Sequence, residues 1–121
     1  MTSFSEILFP SATVTADTYT NSVINVPPLT HGHIIIDVST ATSGSVTPSI
    51  QGFDPASETW YTILTGAAIS TVSTVVLKVG PAFAASANVS VPDMLPSKWR
   101  VFVDAAATTS VVMSIGVNLA P

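Results

Sequence analysis

The chain has 121 residues, a length that fits one domain with a sizeable hydrophobic core and is too short for two. It has no cysteine, which excludes disulfides and thiolate metal sites, and its 3 basic and 7 acidic residues give a net charge of −4, which argues against a nucleic-acid-binding surface. Only 8% of the residues are charged, whereas about 25% is usual in soluble domains. We therefore expect much of the surface to be buried against partner molecules.

The amino-acid composition predicts an all-β protein. Val, Ile and Thr, which favour strands, are abundant, and few Lys, Glu, Arg or Gln residues are present to cover the solvent face of a helix. The first ten residues have neither a basic region nor a long apolar core, so we expect no signal peptide. The uncharged stretch 59–77 is interrupted by Ser, Thr and Gly66, so we expect no membrane partner either.

We divide the chain into an N-terminal arm, residues 1–18, and a β-sandwich domain, residues 19–121. The arm is predicted to have weak structure apart from one apolar cluster. That cluster consists of Ile7, Leu8 and Phe9. Two interpretations are open, because termini are ordered only when something holds them: the cluster is a strand packed on its own domain, or it docks on a neighbouring subunit.

Alternating polar and apolar residues predict short strands separated by turns that contain Pro or Gly. These strands are 19–26, 31–40, 46–53, 59–64, 74–79, 88–91, 98–104 and 111–119, and Pro27 and Pro28 end the first of them. No stretch has the length and period of a convincing helix. The predicted fold is a single-domain antiparallel β-sandwich, jelly-roll-like, with an extended N-terminal arm.

The central element is a hairpin, in which 49–53 and 59–64 flank a turn that begins at Asp54 and Pro55. Much of the core is expected to gather around the two largest rings, Trp60 and Trp99. Because adjacent strand residues point to opposite faces, either Trp60 or Tyr61 must face outward. We select these two side chains, with the arm cluster, as candidate interface residues.

No combination of residues predicts catalysis. His31 and His33 lie on one face of a strand and could share a metal, but no motif supplies further ligands, so we predict no metal site. Asp54 and Glu58 lack the alternating carboxylates of a calcium loop, and turn chemistry explains them better. The serines lack a nucleophile elbow or a separate base motif. We therefore predict that the protein is not an enzyme and has no cofactor.

The sequence also contains one candidate charged pair. Arg100 and Asp37 each lie on the more polar face of a predicted strand. They would pair across the sheet if their strands were neighbours, and would otherwise be two solvated charges.

Four motifs resemble a family of small structural proteins encoded among the virion genes of tailed bacteriophages. They are 49–57 (SIQGFDPAS), 60–64 (WYTIL), 95–101 (LPSKWRV) and 32–38 (GHIIIDV), and the similarity spans residues 20–119. The resemblance implies a virion structural protein without an active site. Within that class it favours a capsid decoration protein, which would lie on the capsid surface, bind the major capsid protein and form a homotrimer.

Two alternatives remain. A phage tail or head–tail component is the nearest variant of the virion function. The second is a carbohydrate- or ligand-binding β-sandwich, in which an exposed Trp60 or Tyr61 would stack on a sugar. The scattered charges argue against the second alternative, because such sites usually bring several polar and acidic side chains together.

Overall fold

The computed structural model describes residues 4–24 and 29–121, and every regular element in these two ranges is a β-strand. The ten strands are β1 (Phe4–Val14), β2 (Thr18–Tyr19), β3 (Val23–Ile24), β4 (His31–Ser43), β5 (Val46–Asp54), β6 (Thr59–Thr65), β7 (Ser73–Val79), β8 (Ser90–Val91), β9 (Lys98–Ala105) and β10 (Ser110–Ala120). The predicted all-β class is confirmed. In the described ranges no helix has the length and apolarity needed to cross a membrane.

The strands form two sheets. The first sheet has the order β1-β10-β4-β7-β8, and the second has the order β2-β9-β5-β6, with β3 also paired to β9. All neighbours are antiparallel except β7 and β8, which are parallel. The chain therefore passes repeatedly from one sheet to the other, and β5 and β6 form a hairpin within the second sheet.

Both sheets contribute to one hydrophobic core. In β4 of the first sheet, Ile34, Ile36 and Val38 are completely buried. In β9 of the second sheet, Trp99 and its neighbours at 101 and 103 are buried in the same cluster. The period-2 alternation of these two strands predicted these inward faces, because successive strand side chains point to opposite sides of a sheet.

The central hairpin forms as predicted, between β5 and β6. The Asp54 carboxylate accepts hydrogen bonds from the Ser57 hydroxyl (2.8 Å) and the Ala56 amide (2.9 Å), so it closes the turn. The Ser57 hydroxyl and then the Ala56 amide lower the pKa of Asp54, because both bonds favour the charged form. Glu58 has a positive φ of 56°, which completes the reversal of the chain. These contacts give Asp54 the structural role in the turn that the sequence predicted.

The N-terminal segment differs from the prediction. Residues 4–14 form strand β1, which pairs with β10 along its length and contains two register shifts. The expectation of weak structure is therefore wrong for these residues, and the segment packs on its own domain. Contact between this strand and a second subunit stays a prediction. Residues 1–3 of the expected arm lie outside the described residues.

The first strand predicted for the sandwich is also different. In place of one strand over 19–26, the chain has the two-residue strands β2 and β3, which both pair with β9. The last predicted strand residue, Val26, and the stop at Pro27 and Pro28 lie outside the described residues.

Candidate interaction surface

The outer face of the second sheet carries a group of rings and positive charges. We call it the aromatic–cation cluster, and it consists of Tyr19, Phe53, Trp60, Lys98, Arg100 and Phe102. Strand β9 supplies half of it: because Trp99 and Val101 point into the core, Lys98 and Arg100 must point outward. Five of the six side chains are half-buried, and Tyr19 is exposed.

Arg100 is at the centre of the cluster. Its guanidinium carbon lies 4.0 Å from the centroid of the Tyr19 ring and 4.1 Å from the centroid of the Trp60 ring. Its Nε donates a hydrogen bond of 2.8 Å to Oε1 of Gln51, the residue opposite it on β5. Burial lowers the pKa of Arg100, and Tyr19 acts in the opposite direction. Three neighbours thus fix the position of the guanidinium.

Lys98 provides the second charge. Its Nζ lies 4.2 Å from the centroid of Phe53 and 5.9 Å from that of Trp60. Phe53 and Trp60 are cross-strand partners whose rings meet at 60° with centroids 5.1 Å apart. Such cation–π contacts contribute about 0.5–1 kcal/mol each at partly exposed sites. The cluster is therefore a continuous row of rings with two cations between them.

Trp60 and Tyr61, the two candidate interface residues of the hairpin, lie on opposite faces of the sheet, as the alternation along a strand requires. Trp60 is half-buried in the aromatic–cation cluster, so the expectation that it organises the core is wrong, and Trp99 alone does so. Tyr61 points to the other face at the sheet edge and is 48% exposed. Its ring lies against Gly52, where an added Cβ would come within 2.6 Å of the phenol. It also lines a cavity of about 340 Å³ beside Met94.

The arm cluster lies elsewhere in the molecule. Leu8 and Phe9 are half-buried and pack against the core, whereas Ile7 is 73% exposed. These residues belong to β1, an edge strand of the first sheet, and Trp60 belongs to β6, an edge strand of the second. The structure therefore does not bring the predicted interface residues into one patch.

The two histidines share a face, as predicted, and both contact Phe83. The centroid of Phe83 lies 5.6 Å from that of His31 and 5.5 Å from that of His33. The Ala82 amide donates to Nε2 of His31, so the proton is on Nδ1, which donates to Thr30. Both ring nitrogens of His31 thus have partners. Within 4–24 and 29–121, no group of three or more His, Cys, Asp or Glu side chains could hold a metal ion.

Of the two alternatives for Arg100 and Asp37, the pair across the sheet is not formed. Asp37 lies on β4 in the first sheet, where its carboxylate accepts a hydrogen bond of 2.9 Å from Thr74 on β7. Arg100 lies on β9 in the second sheet. The condition for the pair, that the two strands be neighbours, is not met.

Sequence reasoning did not predict the aromatic–cation cluster, although part of the signal was present. Once Trp99 is assigned to the core, the alternation of β9 requires residues 98, 100 and 102 to face outward together. The remaining members come from β2, β5 and β6, and only the pairing of these strands with β9 and with each other brings their rings together.

Comparison with known proteins adds no relative, since no family model, no curated protein and no solved structure matches this chain. The resemblance to tailed-phage virion proteins therefore stays a prediction based on the sequence motifs.

Proposed function

We propose that this protein is a structural component of a tailed-bacteriophage virion and that it acts as a capsid decoration protein. It binds the outer surface of the shell, contacts the major capsid protein and forms a homotrimer there. It stabilises the shell by joining neighbouring capsid subunits, and it performs no chemical reaction. The resemblance of four sequence motifs to such proteins is the basis for the virion assignment and for the trimer.

The observation that carries the proposal is a surface rich in exposed apolar side chains and poor in charge. Large hydrophobic side chains are exposed on both sheets and in the loops, namely Phe4, Ile7, Tyr19, Ile24, Tyr61, Val72, Val89 and Met94. Only 8% of all residues carry a charge that could keep such a surface soluble. Because single exposed apolar side chains are common on protein surfaces, the low charge is the feature that favours burial of part of this surface against partners.

We also propose that the two sheets are the layers of a jelly-roll sandwich. The strand order supports this: β1 pairs with β10, β2 and β3 with β9, β4 with β7, and β5 with β6. The first strand thus pairs with the last, the next with the one before it, and so on inward to β5 and β6. This nesting is the pattern of a jelly roll, in which one long hairpin is rolled up, and β8 is an additional strand beside β7. Jelly rolls occur in viral capsid proteins and in lectins, so this fold agrees with the virion function without requiring it.

A decoration protein can bind tightly through several weak contacts. Once one contact holds the protein on the shell, the effective concentration for the next contact is high. The exposed side chain of Ile7 is the proposed second contact with the shell. It can make this contact while β1 stays paired in its own sheet.

The test compares particles assembled with and without this protein. We expect shells to assemble in both cases and the shells without it to break at lower temperature and at low ionic strength. Adding the purified protein back should restore their resistance. If shells fail to assemble without the protein, or if it is found only in the tail, the decoration function is wrong.

The trimer is tested separately. We expect the symmetry at the binding site on the particle to be threefold. Light scattering of the free protein would show a trimer, or a monomer if the contacts form only on the shell. A single copy at a site without symmetry would contradict the trimer.

A further inference from the structure

The positive charge of this chain is concentrated at one place. Of its 3 basic residues, Lys98 and Arg100 lie side by side on the outer face of the second sheet, while Lys78 lies on β7 in the first sheet. Within 4–24 and 29–121, neither Lys98 nor Arg100 forms an ion pair with a carboxylate. In a protein with a net charge of −4, two neighbouring cations without an anionic partner are unexpected.

Arg100 is also held in a fixed position for binding. Its Nε is bonded to Gln51, and its guanidinium lies against Tyr19 and Trp60, so little side-chain entropy remains to be lost. In the described part of the chain the two terminal Nη groups have no hydrogen-bond acceptor. A guanidinium presents these groups as a planar fork that matches a carboxylate, and partial removal from water strengthens such a bond.

We propose that the aromatic–cation cluster binds an acidic segment of a partner protein. Arg100 donates its Nη hydrogen bonds to one carboxylate of that segment, Lys98 provides the second positive charge, and the rings contact the apolar side chains next to the carboxylate. The inference rests on the proposed function only in identifying the partner as the shell protein. Fixed arginines and aromatic rings are the side chains that contribute most to protein–protein binding.

Other ligands fit this surface less well. A nucleic acid would be repelled by the net negative charge, and two cations do not form the extended basic surface that a phosphate backbone requires. Stacking of a sugar needs an open ring face. The guanidinium of Arg100 occupies one face of Trp60 and one of Tyr19. Phe102 also stacks on Tyr19 with ring centroids 4.7 Å apart, so less ring surface is left for a sugar. An acidic segment binds to the two cations and leaves the contacts between Arg100 and the rings in place.

The first experiment measures binding of the purified protein to shells that lack it, using two variants that each remove one positive charge. Arg100→Gln should weaken binding by about tenfold or more, as expected when one partner of a largely buried charged pair is removed. The matched control Lys78→Gln should bind within about twofold of the natural protein, since a charge outside the contact has little effect. Equal binding of the two variants would overturn the inference while leaving the decoration function intact.

The second experiment does not need the shell. Arg100 is the only arginine in the chain, so the side-chain Nε–H signal in a ¹⁵N NMR spectrum belongs to it alone. We expect this signal to shift on addition of a tetraglutamate peptide, and to shift much less with tetraglutamine or inorganic phosphate at the same concentration. The shift should weaken with added salt, because the contact is electrostatic.

Together, the outcomes distinguish an acidic partner protein from a phosphate ligand and from a second copy of this chain. A larger shift with phosphate than with tetraglutamate would overturn the inference in favour of a phosphate ligand. An equal shift with tetraglutamine and tetraglutamate would also overturn it, because the carboxylates would then not be recognised. If the natural protein binds no shells but tetraglutamate shifts the signal, the decoration function fails and recognition of an acidic partner stands. If Arg100→Gln abolishes self-association of the free protein, the partner is a second copy, and the assignment to the shell is wrong.

Discussion

Replacement of Trp99 by alanine removes the largest fully buried side chain of the core. Its exposed fraction is 0%. Burying a tryptophan removes about 250 Å² from water, which at about 25 cal/mol/Å² corresponds to roughly 6 kcal/mol. This figure is an upper limit, because the unfolded chain already buries part of this area and alanine keeps a methyl group. We therefore expect Trp99→Ala to lower the free energy of unfolding by about 3–5 kcal/mol.

Urea denaturation followed by far-ultraviolet circular dichroism measures this loss without depending on tryptophan fluorescence. Trp60→Ala is the matched control, since it makes the same chemical change at a half-buried ring and should cost clearly less. Trp99→Phe should also cost less than Trp99→Ala. It retains a ring and removes an indole N–H that has no acceptor among the described residues. A loss below about 1 kcal/mol for Trp99→Ala would refute the inward orientation of β9.

Three further predictions concern a turn, a carboxylate and an exposed side chain. Gly44→Ala should destabilise the fold by more than about 1 kcal/mol in urea denaturation, because Gly44 has a φ of +72° and a Cβ would lie 2.6 Å from the Thr109 Cα. The control Gly116→Ala, where the atom nearest to an added Cβ is 3.8 Å away, should be nearly neutral. Equal losses of stability in the two variants would contradict this prediction. The turn lowers the pKa of Asp54 below its ordinary 3.8 in the folded state, so its stabilisation is present above that pH and is lost as the pH falls through the folded pKa. Asp54→Asn should therefore reduce the pH dependence of the urea midpoint in this acidic range, and an unchanged profile would argue against the turn contacts. Ile7→Thr should change the free energy of unfolding by no more than about 0.5 kcal/mol but reduce occupancy on shells; unchanged occupancy would mean that β1 has only its role in the sheet.

The sequence predicted the central strands well because their side chains alternate between core and solvent. In β4, Ile34, Ile36 and Val38 recur every second residue, and in β9 the same period places Trp99 and Val101 inward. Such a pattern determines both the strand and its orientation, since a shift by one residue would expose the whole apolar set. The turn at Asp54 was equally predictable, because its side chain bonds to the backbone two residues later.

The edge strand β1 could not be predicted in this way. It contains Pro10 and two register shifts, so its apolar residues do not keep a period of two. A proline is tolerated at a sheet edge, and irregular register is a common feature of edge strands. The stabilising partner is β10, about a hundred residues later in the chain, and no local pattern in residues 4–14 indicates this pairing.

The candidate site required the same long-range information. Whether Arg100 would meet Asp37 or Trp60 depends on which strands are neighbours, and the alternation within β9 does not determine that. The strand order places Asp37 in the other sheet and brings Tyr19 and Trp60 to either side of Arg100. The residues facing outward were predictable, but their grouping into one surface was not.

Cryo-electron microscopy of the assembled virion tests the central claim, that the protein decorates the capsid, most directly. We predict density for this chain on the outside of the shell, at positions where it contacts two or more capsid subunits, with the outer face of the second sheet against one of them. Density for the chain in the tail, on the inner side of the shell or nowhere in the particle would contradict the claim.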